Sequence, residues 1–356
     1  LLFLLYINDI TRSCHGCDFI LYADDTTLLT SHNDINILLQ SLNENLINIS
    51  NWFKCNNLSL NVSKTQYLYF HRKGSQVPRN IKVFLHNTLL NRCKSIKFLG
   101  VTLNDNLNWN DHIASVCLNV SRYVGILYRL KYILPVYVLL KIYNAFILSN
   151  LSYCNSVWAN TYPSYLHKLS ILQKKAIRIC TNSNYMASSS LLFKKLHTLK
   201  LLDINRLQTA SLMQRYNTNT LPCYLMNMFS LNSKIHNYPT RNANKFHRWV
   251  YVNDYSKYSL RHSGPILWNT LNCNIFNTTF NNTFKRQYKK HMLSLYWLWI
   301  CNVIISIPLT HFLPCPPLYI YFVHFCIFFC IFCIFVVFFC LFLYCFLFLL
   351  YNVSHC

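Results

Sequence analysis

The sequence predicts an α+β fold. A small unit of short strands around one long helix is followed by a basic, mainly helical unit and then by an apolar tail. Three observations predict it. Short apolar and β-branched runs alternate with turn residues through the first hundred positions, which is a strand and hairpin pattern. Helical spacing takes over from about Trp109. The charge also changes along the chain. Residues 1–111 hold 10 Lys and Arg against 8 Asp and Glu, residues 112–296 hold 23 against 2, and residues 297–356 hold none of these four types. The formal charge of +23 is therefore concentrated in the middle block. So large a basic block is the electrostatic footprint of a polyanion, most simply nucleic acid. A merely soluble basic surface is the alternative, and it is weakened by how few acids are interspersed to neutralise the charge.

The elements follow in order. The chain opens Leu1-Leu2-Phe3 with no Met. LLFLLYINDI lacks the basic leader and the small-residue cleavage site of a signal peptide. It reads as the end of an apolar helix, with Asn8 and Asp9 near its stop, in a chain expected to lack its front. Next, Phe19 to Ala23 and Thr26 to Thr30 form two apolar and β-branched runs around Asp24 and Asp25. Two such runs predict an antiparallel hairpin over residues 19–30 with both acids at its tip. Asp is tolerated in such turns, but Asp-Asp lacks the favoured Gly. Two readings therefore stand: an ordinary turn with solvated acids, or a pair of ligands for a hard divalent cation.

An amphipathic helix is predicted over about 34–54. Ile35, Leu38, Leu39, Leu42, Leu46, Ile49 and Phe53 recur at helical spacing, and Ser31, Asn33 or Asp34 can cap it. LSLNVSKTQYLYF (58–70) reads as a polar loop and a strand, with further strands at 81–85 and 96–103. Gly100 is one of only five glycines, which suggests a backbone position where a side chain is not allowed. Helices are expected from Trp109 onward, at 136–150, at 166–180 and as a pair within 190–216. Tyr123, Tyr128 and Tyr132 sit among basic residues, where they either stack on bases or pack in the core.

Two minor signals carry less. Cys14-His15-Gly16-Cys17 has half the spacing of a zinc site with no second pair nearby, so scattered buried thiols are the expectation for the 17 cysteines. The Asn-x-Ser/Thr triplets at Asn61, Asn119 and Asn277 are expected by chance in an Asn-rich chain. In the tail, 323–351 is apolar except for His324 and longer than the about 20 residues that span a bilayer. Hydropathy alone predicts a transmembrane helix there, with the basic block on the cytoplasmic side. Its Phe, Leu, Ile, Val, Cys and Tyr are all encoded by T-rich codons, so translated read-through is the competing account.

The order of the segments is more specific than any one of them. LYADDTTL, then a helix, LSLNVSKT and IKFLGVTLNDNLNW together resemble the reverse transcriptases of non-LTR (LINE-type, jockey-like) retrotransposons. LSYCNSVWAN, LQKKAIRIC, GPILWNTLN and FKRQYKKHM extend the resemblance to about residue 296. It implies a partial palm at 1–107, beginning after the family's template-contacting Gly-rich loop. It also implies a basic helical thumb and post-palm region at 108–296, with 297–356 as the tail.

The implied activity is RNA-directed DNA synthesis, with an RNA template, a DNA primer, deoxynucleotides and two Mg2+ ions. Asp24 is then the main metal ligand and Asp25 the supporting one. Tyr22 flanks the primer end, and Lys64 approaches the departing pyrophosphate, unless it is a solvated loop lysine. Phe98, Leu99 and Gly100 form the primer-contacting hairpin. Relatives complete the metal site with a third carboxylate ahead of the template loop. Asp9, Asp18 and Asp34 do not supply it, so the chain alone is expected to be inactive. The element's protein is expected in the nucleus or cytoplasm, whereas the apolar tail alone would give a membrane location. A non-catalytic nucleic-acid-binding remnant and a membrane-anchored protein are the alternative functions.

Overall fold

A computed structural model describes residues 2–305, apart from 73, 76, 79–80, 236–237, 239, 252, 272–277 and 279. Residues 1–297 form one compact unit. The described chain is a mixture of helices and small sheets.

The first residues fold as α1 (Leu2–Ile7), which tightens into a 3-10 turn at Asn8–Ser13, close to the stop expected from the sequence. The Tyr6 hydroxyl donates to the Asn56 carbonyl, and Ile7 and Ile10 are buried. Strands β1 (Asp18–Tyr22) and β2 (Asp25–Leu29) form the expected antiparallel hairpin. The long helix α2 (Ile35–Cys55) is capped by Asp34, whose carboxylate accepts from the Asn36 amide at 2.7 Å. Of the three candidate caps, it is the one that places its oxygen over the first turn. Buried Asn45 on α2 clasps His15 through both main-chain groups, and Cys14 donates to the Asn45 carbonyl at 3.4 Å.

Four further short pieces follow: β3 (Gln66–Leu68), β4 (Phe84–Leu85), β5 (Thr88–Leu89) and β6 (Asn91–Cys93). A last hairpin joins β7 (Ser95–Phe98) to β8 (Val101–Asn104). Among the described residues the strands make four two-stranded ladders, of which β3–β6 is parallel. The family resemblance implies a palm with an antiparallel sheet and helices, and among the described residues the strands pair only two by two. The run at 81–85 keeps only Phe84 and Leu85 as strand because Val83 and Leu85 turn into a small cluster with Leu90. Leu39, Leu42 and Leu46 of α2 pack against that cluster. With three buried members among the described residues, it is a thin core.

The larger core lies in the helices α3 (Asn110–Leu130), α4 (Val136–Ile142), α5 (Ser149–Ser152), α6 (Asn155–Trp158), α7 (Pro163–Cys180), α8 (Ser189–Lys195) and α9 (Leu201–Asn217). Helix α4 passes through a π-helical stretch, Tyr143–Leu148, into α5. Val116, Val120, Val124 and Leu127 line one face of α3, and Leu166, Leu169, Ala176 and Ile177 one face of α7. This is the i, i+3/i+4 stripe of amphipathic helices. Buried Gln173 joins three elements: it donates to the Tyr143 hydroxyl and the Leu199 carbonyl and accepts from the Leu201 amide, at 2.8–3.0 Å. Every one of those buried polar groups is thereby paired, as a packed interior requires.

Short helices α10 (Cys223–Met226) and α11 (Asp254–Lys257) precede α12 (Leu260–Thr270) and α13 (Asn281–Ile305). Asp203, one of the two acids of the basic block, is buried on α9. It accepts from the Tyr296 hydroxyl at 2.6 Å and pairs with Arg206 at 3.1 Å, which ties α9 to α13.

The membrane expectation is corrected. Among the described residues no helix is long and apolar enough to cross a membrane, and the 323–351 run lies outside the described residues. The Asn277 triplet lies partly outside them as well.

Candidate active site

Hairpin β1–β2 pairs Tyr22 with Asp25, Leu21 with Thr26, Ile20 with Thr27 and Phe19 with Leu28. The turn is therefore Ala23-Asp24, one residue earlier than expected, and Asp25 is the first residue of β2. Ala23 adopts φ 52, the left-handed conformation that two-residue hairpin turns demand. The shift has a packing reason. It puts Phe19, Leu21, Thr26 and Leu28 together on one half-buried face, and a slip by one residue exchanges the faces. Tyr22 and Asp25 then stand side by side on the open face, and Asp24 lies at the bend.

Both carboxylates are exposed, and neither makes a hydrogen bond or ion pair among the described residues. Their oxygens are hard donors with free lone pairs, the chemistry a divalent cation such as Mg2+ takes. They fit such an ion as two of its ligands. Among the described residues no group of three or more His, Cys, Asp or Glu is gathered to hold a metal. Asp18 starts β1 at the far end of the ladder, opposite Leu29. Asp9 lies in the 3-10 turn, and Asp34 is spent on capping α2.

Lys64 sits on a turn built by Asn61. The Asn61 side-chain oxygen accepts from the Lys64 amide at 3.2 Å and from the Ser63 hydroxyl at 2.7 Å. The lysine is exposed and makes no ion pair with Asp24 or Asp25 among the described residues.

Phe98 and Val101 close the β7–β8 hairpin, with Leu99 at φ 44 and Gly100 at φ 83 in its turn. Both central residues are left-handed, so this turn favours Gly at one or both places. A Cβ on Gly100 would stand 3.2 Å from Cε1 of Tyr153. The expectation that this position excludes a side chain thus has two structural grounds.

The residue that sequence reasoning missed is Tyr153. LSYCNSVWAN carried part of the family resemblance, yet no role was given to any residue in it. The Tyr153 hydroxyl donates to the Leu99 carbonyl at 2.6 Å. Its phenol is raised in pKa, first by the neighbouring Cys154 thiol and also by the Tyr22 phenol. The structure thus brings Leu99 and Gly100 to one tyrosine, and it leaves Lys64 unlinked to them. A local signal existed: an aromatic at a break between two helical segments, five residues before a tryptophan. Its partner lies 54 residues away, which local reading does not reveal.

Behind this site, β8 is pinned to α3. The Thr102 amide donates to Nδ1 of His112 at 3.3 Å, and the buried His112 ring meets Trp158 edge-on at 5.4 Å. Burial lowers the His112 pKa. Asn104, Asn108 and Asp111 complete the joint through side-chain amide bonds of 2.8 and 3.4 Å.

A second surface feature lies at the α3–α4 corner. Tyr132 is 75% exposed and Tyr137 65% exposed. The Lys131 ammonium sits over the rings of both Tyr128 and Tyr132, at 4.6 and 4.4 Å. Of the three tyrosines open to either role, Tyr123 packs against the core and stacks on Phe146, while Tyr128 and Tyr132 remain available.

Residues 1–103 match the family model described as reverse transcriptase (RNA-dependent DNA polymerase). Two curated proteins of Drosophila melanogaster are similar. One is a probable RNA-directed DNA polymerase from transposon BS, 26% identical over 184 residues, covering 50% of this chain and 20% of that protein. The other is the RNA-directed DNA polymerase from mobile element jockey, 27% identical over 163 residues, covering 44% of this chain and 17% of that protein. The chain thus spans no more than a fifth of the length of these relatives. No solved structure matches it.

Proposed function

We propose that this chain, which belongs to the reverse transcriptase family of non-LTR retrotransposons through residues 1–103, acts in RNA-directed DNA synthesis. The observation that carries the reading is the match of residues 1–103 to the reverse transcriptase family model, within which the YADD carboxylates stand exposed at the end of the β1–β2 hairpin. In this reading residues 1–107 are part of the palm, and 108–296 are the thumb and post-palm region.

The family generally uses divalent metal ions and works on a nucleic-acid template and primer. The finer assignment is two Mg2+ ions, an RNA template, a DNA primer and deoxynucleotides. Asp24 and Asp25 would hold the metal. Bound divalent ions supply Lewis-acid stabilisation of the charge that develops on a transferring phosphoryl group. Tyr22, beside Asp25 on the open face, flanks the primer end. Phe98, Leu99 and Gly100 brace the primer strand from the second hairpin. Lys64 offers positive charge, or a proton, to the departing pyrophosphate, and its exposure and freedom from ion pairs leave it available.

Two carboxylates do not make a complete two-metal site. We therefore expect the chain by itself to bind primer–template without extending it. Extension is expected from a longer polymerase that carries this chain together with its relatives' strand-borne Asp and Gly-rich loop. Primer extension on an RNA template, with the chain beside the longer protein, tests both statements. Extension by the chain alone would contradict the first. A longer protein that never extends would contradict the second.

A further inference from the structure

We propose that Tyr153 is a positioning residue, which locks the Leu99–Gly100 turn and so fixes where a primer end can lie. The inference deepens the polymerase reading and rests on it.

Three observations support it, the first two of them contacts. The first is the grip on the turn. The Tyr153 hydroxyl holds the Leu99 carbonyl at 2.6 Å, and a Cβ on Gly100 would press on the ring at 3.2 Å. A two-residue turn has few ways to be held from outside, and here its carbonyl and its glycine meet one residue.

The second is the support behind Tyr153. Its own carbonyl accepts from Nε1 of Trp158, a fully buried indole, at 2.8 Å. The preceding carbonyl, of Ser152, accepts from Gln208 at 2.6 Å, and the same Gln208 accepts from the Ser156 amide at 3.1 Å. Asn205 donates to the Asn155 carbonyl at 3.2 Å, and Asn155 donates to the Leu151 carbonyl at 2.7 Å. Cys154, at φ 47, makes the bend between α5 and α6. Helix α9 and Trp158 therefore fix the main chain of this corner while the Tyr153 side chain stays 52% exposed. A packing residue would be turned inward. This one is held firmly from behind and meets the β7–β8 turn.

The third is the reach to the first hairpin. The Tyr22 phenol is among the groups that raise the Tyr153 pKa, after the Cys154 thiol, which puts the first hairpin within electrostatic range of this corner. Tyr22 is paired with Asp25 across β1–β2. One corner of the helical region thereby holds the primer-contacting turn, with Tyr22 of the first hairpin in electrostatic range. Catalytic geometry tolerates little looseness, and a displacement of about 1 Å can cost about a hundredfold in rate.

The test uses the full chain and two variants, Tyr153→Phe and Tyr153→Ala. Tyr153→Phe keeps the ring and loses the hydroxyl donor. Hydrogen exchange of peptides covering 95–104 should be about tenfold faster in Tyr153→Phe, the scale of one net hydrogen bond, and faster still in Tyr153→Ala. Exchange in α3 and α7 should be unchanged. The second readout is a DNA primer with 2-aminopurine at its 3′ end, annealed to an RNA template. Tyr153→Phe should bind this duplex within about twofold of the parent affinity, yet its saturated complex should show a different terminal-base fluorescence.

Unchanged exchange at 95–104 in both variants would overturn the proposal. So would faster exchange with identical terminal fluorescence, because Tyr153 would then be merely structural. A parent chain that gives no terminal-base signal at saturating duplex would overturn the polymerase reading itself, whatever the exchange shows.

Discussion

Asp24 and Asp25 are adjacent in sequence but occupy different backbone settings. Asp24 sits in the bend after Ala23, and Asp25 is in the ladder opposite Tyr22. The pair was legible as a hairpin feature because apolar and β-branched runs flank it. The exact turn was not, since the choice between Ala23-Asp24 and Asp24-Asp25 depends on which face is covered. Lys64 offers a sharper division. Its side chain is exposed on the Asn61 turn, so in the longer polymerase Lys64→Ala should slow the chemical step at least about tenfold while leaving primer–template affinity nearly unchanged. Single-turnover extension beside a binding titration checks it, and an equal loss in both would make Lys64 a binding residue.

His112 gives a pH prediction at the same scale. Burial lowers its pKa from the ordinary 6.5, and its Nδ1 must stay unprotonated to accept from Thr102. The unfolded chain then binds the proton more readily than the folded one. Folding is unpenalised above about pH 6.5 and loses stability as pH falls through 6.5 toward the lowered folded value. Thermal midpoints from pH 7.5 to 5 should fall more steeply in the parent than in His112→Gln, and parallel curves would remove His112 from that loss.

Among the elements, the helices were the most legible. Helix α2 shows its period in seven apolar residues and its start in Asp34, and α3, α7, α8 and α9 follow from the same spacing. The sheets were the least legible. Strand β3 pairs with β6 in parallel across a 22-residue connection, and such non-local pairing leaves no local pattern. The break after Ser152 was hidden as well, because the bonds that hold it come from Gln208 and Asn205 on α9. The two hydrophobic clusters also differ in depth. Leu169→Ala, in the fully buried α3–α7 seam, should cost about 2–5 kcal/mol. Leu89→Ala, at a site 54% exposed in β5, should change stability by no more than about 0.5 kcal/mol. Denaturant midpoints compare them directly, and equal losses would contradict this division of the core.

At the scale of the whole molecule, charge and chemistry occupy different stretches of chain. The carboxylates of the candidate site lie within residues 1–111, and the excess of Lys and Arg lies within 112–296. That division fits a chain in which one part presents the reacting groups and the other grips a polyanion, with Tyr128, Lys131 and Tyr132 open at one corner. If four phosphates are neutralised, affinity for an RNA–DNA duplex should fall about a hundredfold between 50 and 200 mM salt as counterions are released. A flat response would mean that the charge does not meet phosphates. The central claim is that the opening pair of carboxylates serves nucleotidyl transfer. Primer extension on an RNA template by the longer polymerase, parent beside Asp24→Asn, tests it most directly. The substitution keeps shape and removes a metal-binding charge, so extension should drop at least about a thousandfold with the fold intact by circular dichroism. Near-parental extension by the Asp24→Asn protein would show that Asp24 and Asp25 form only a turn.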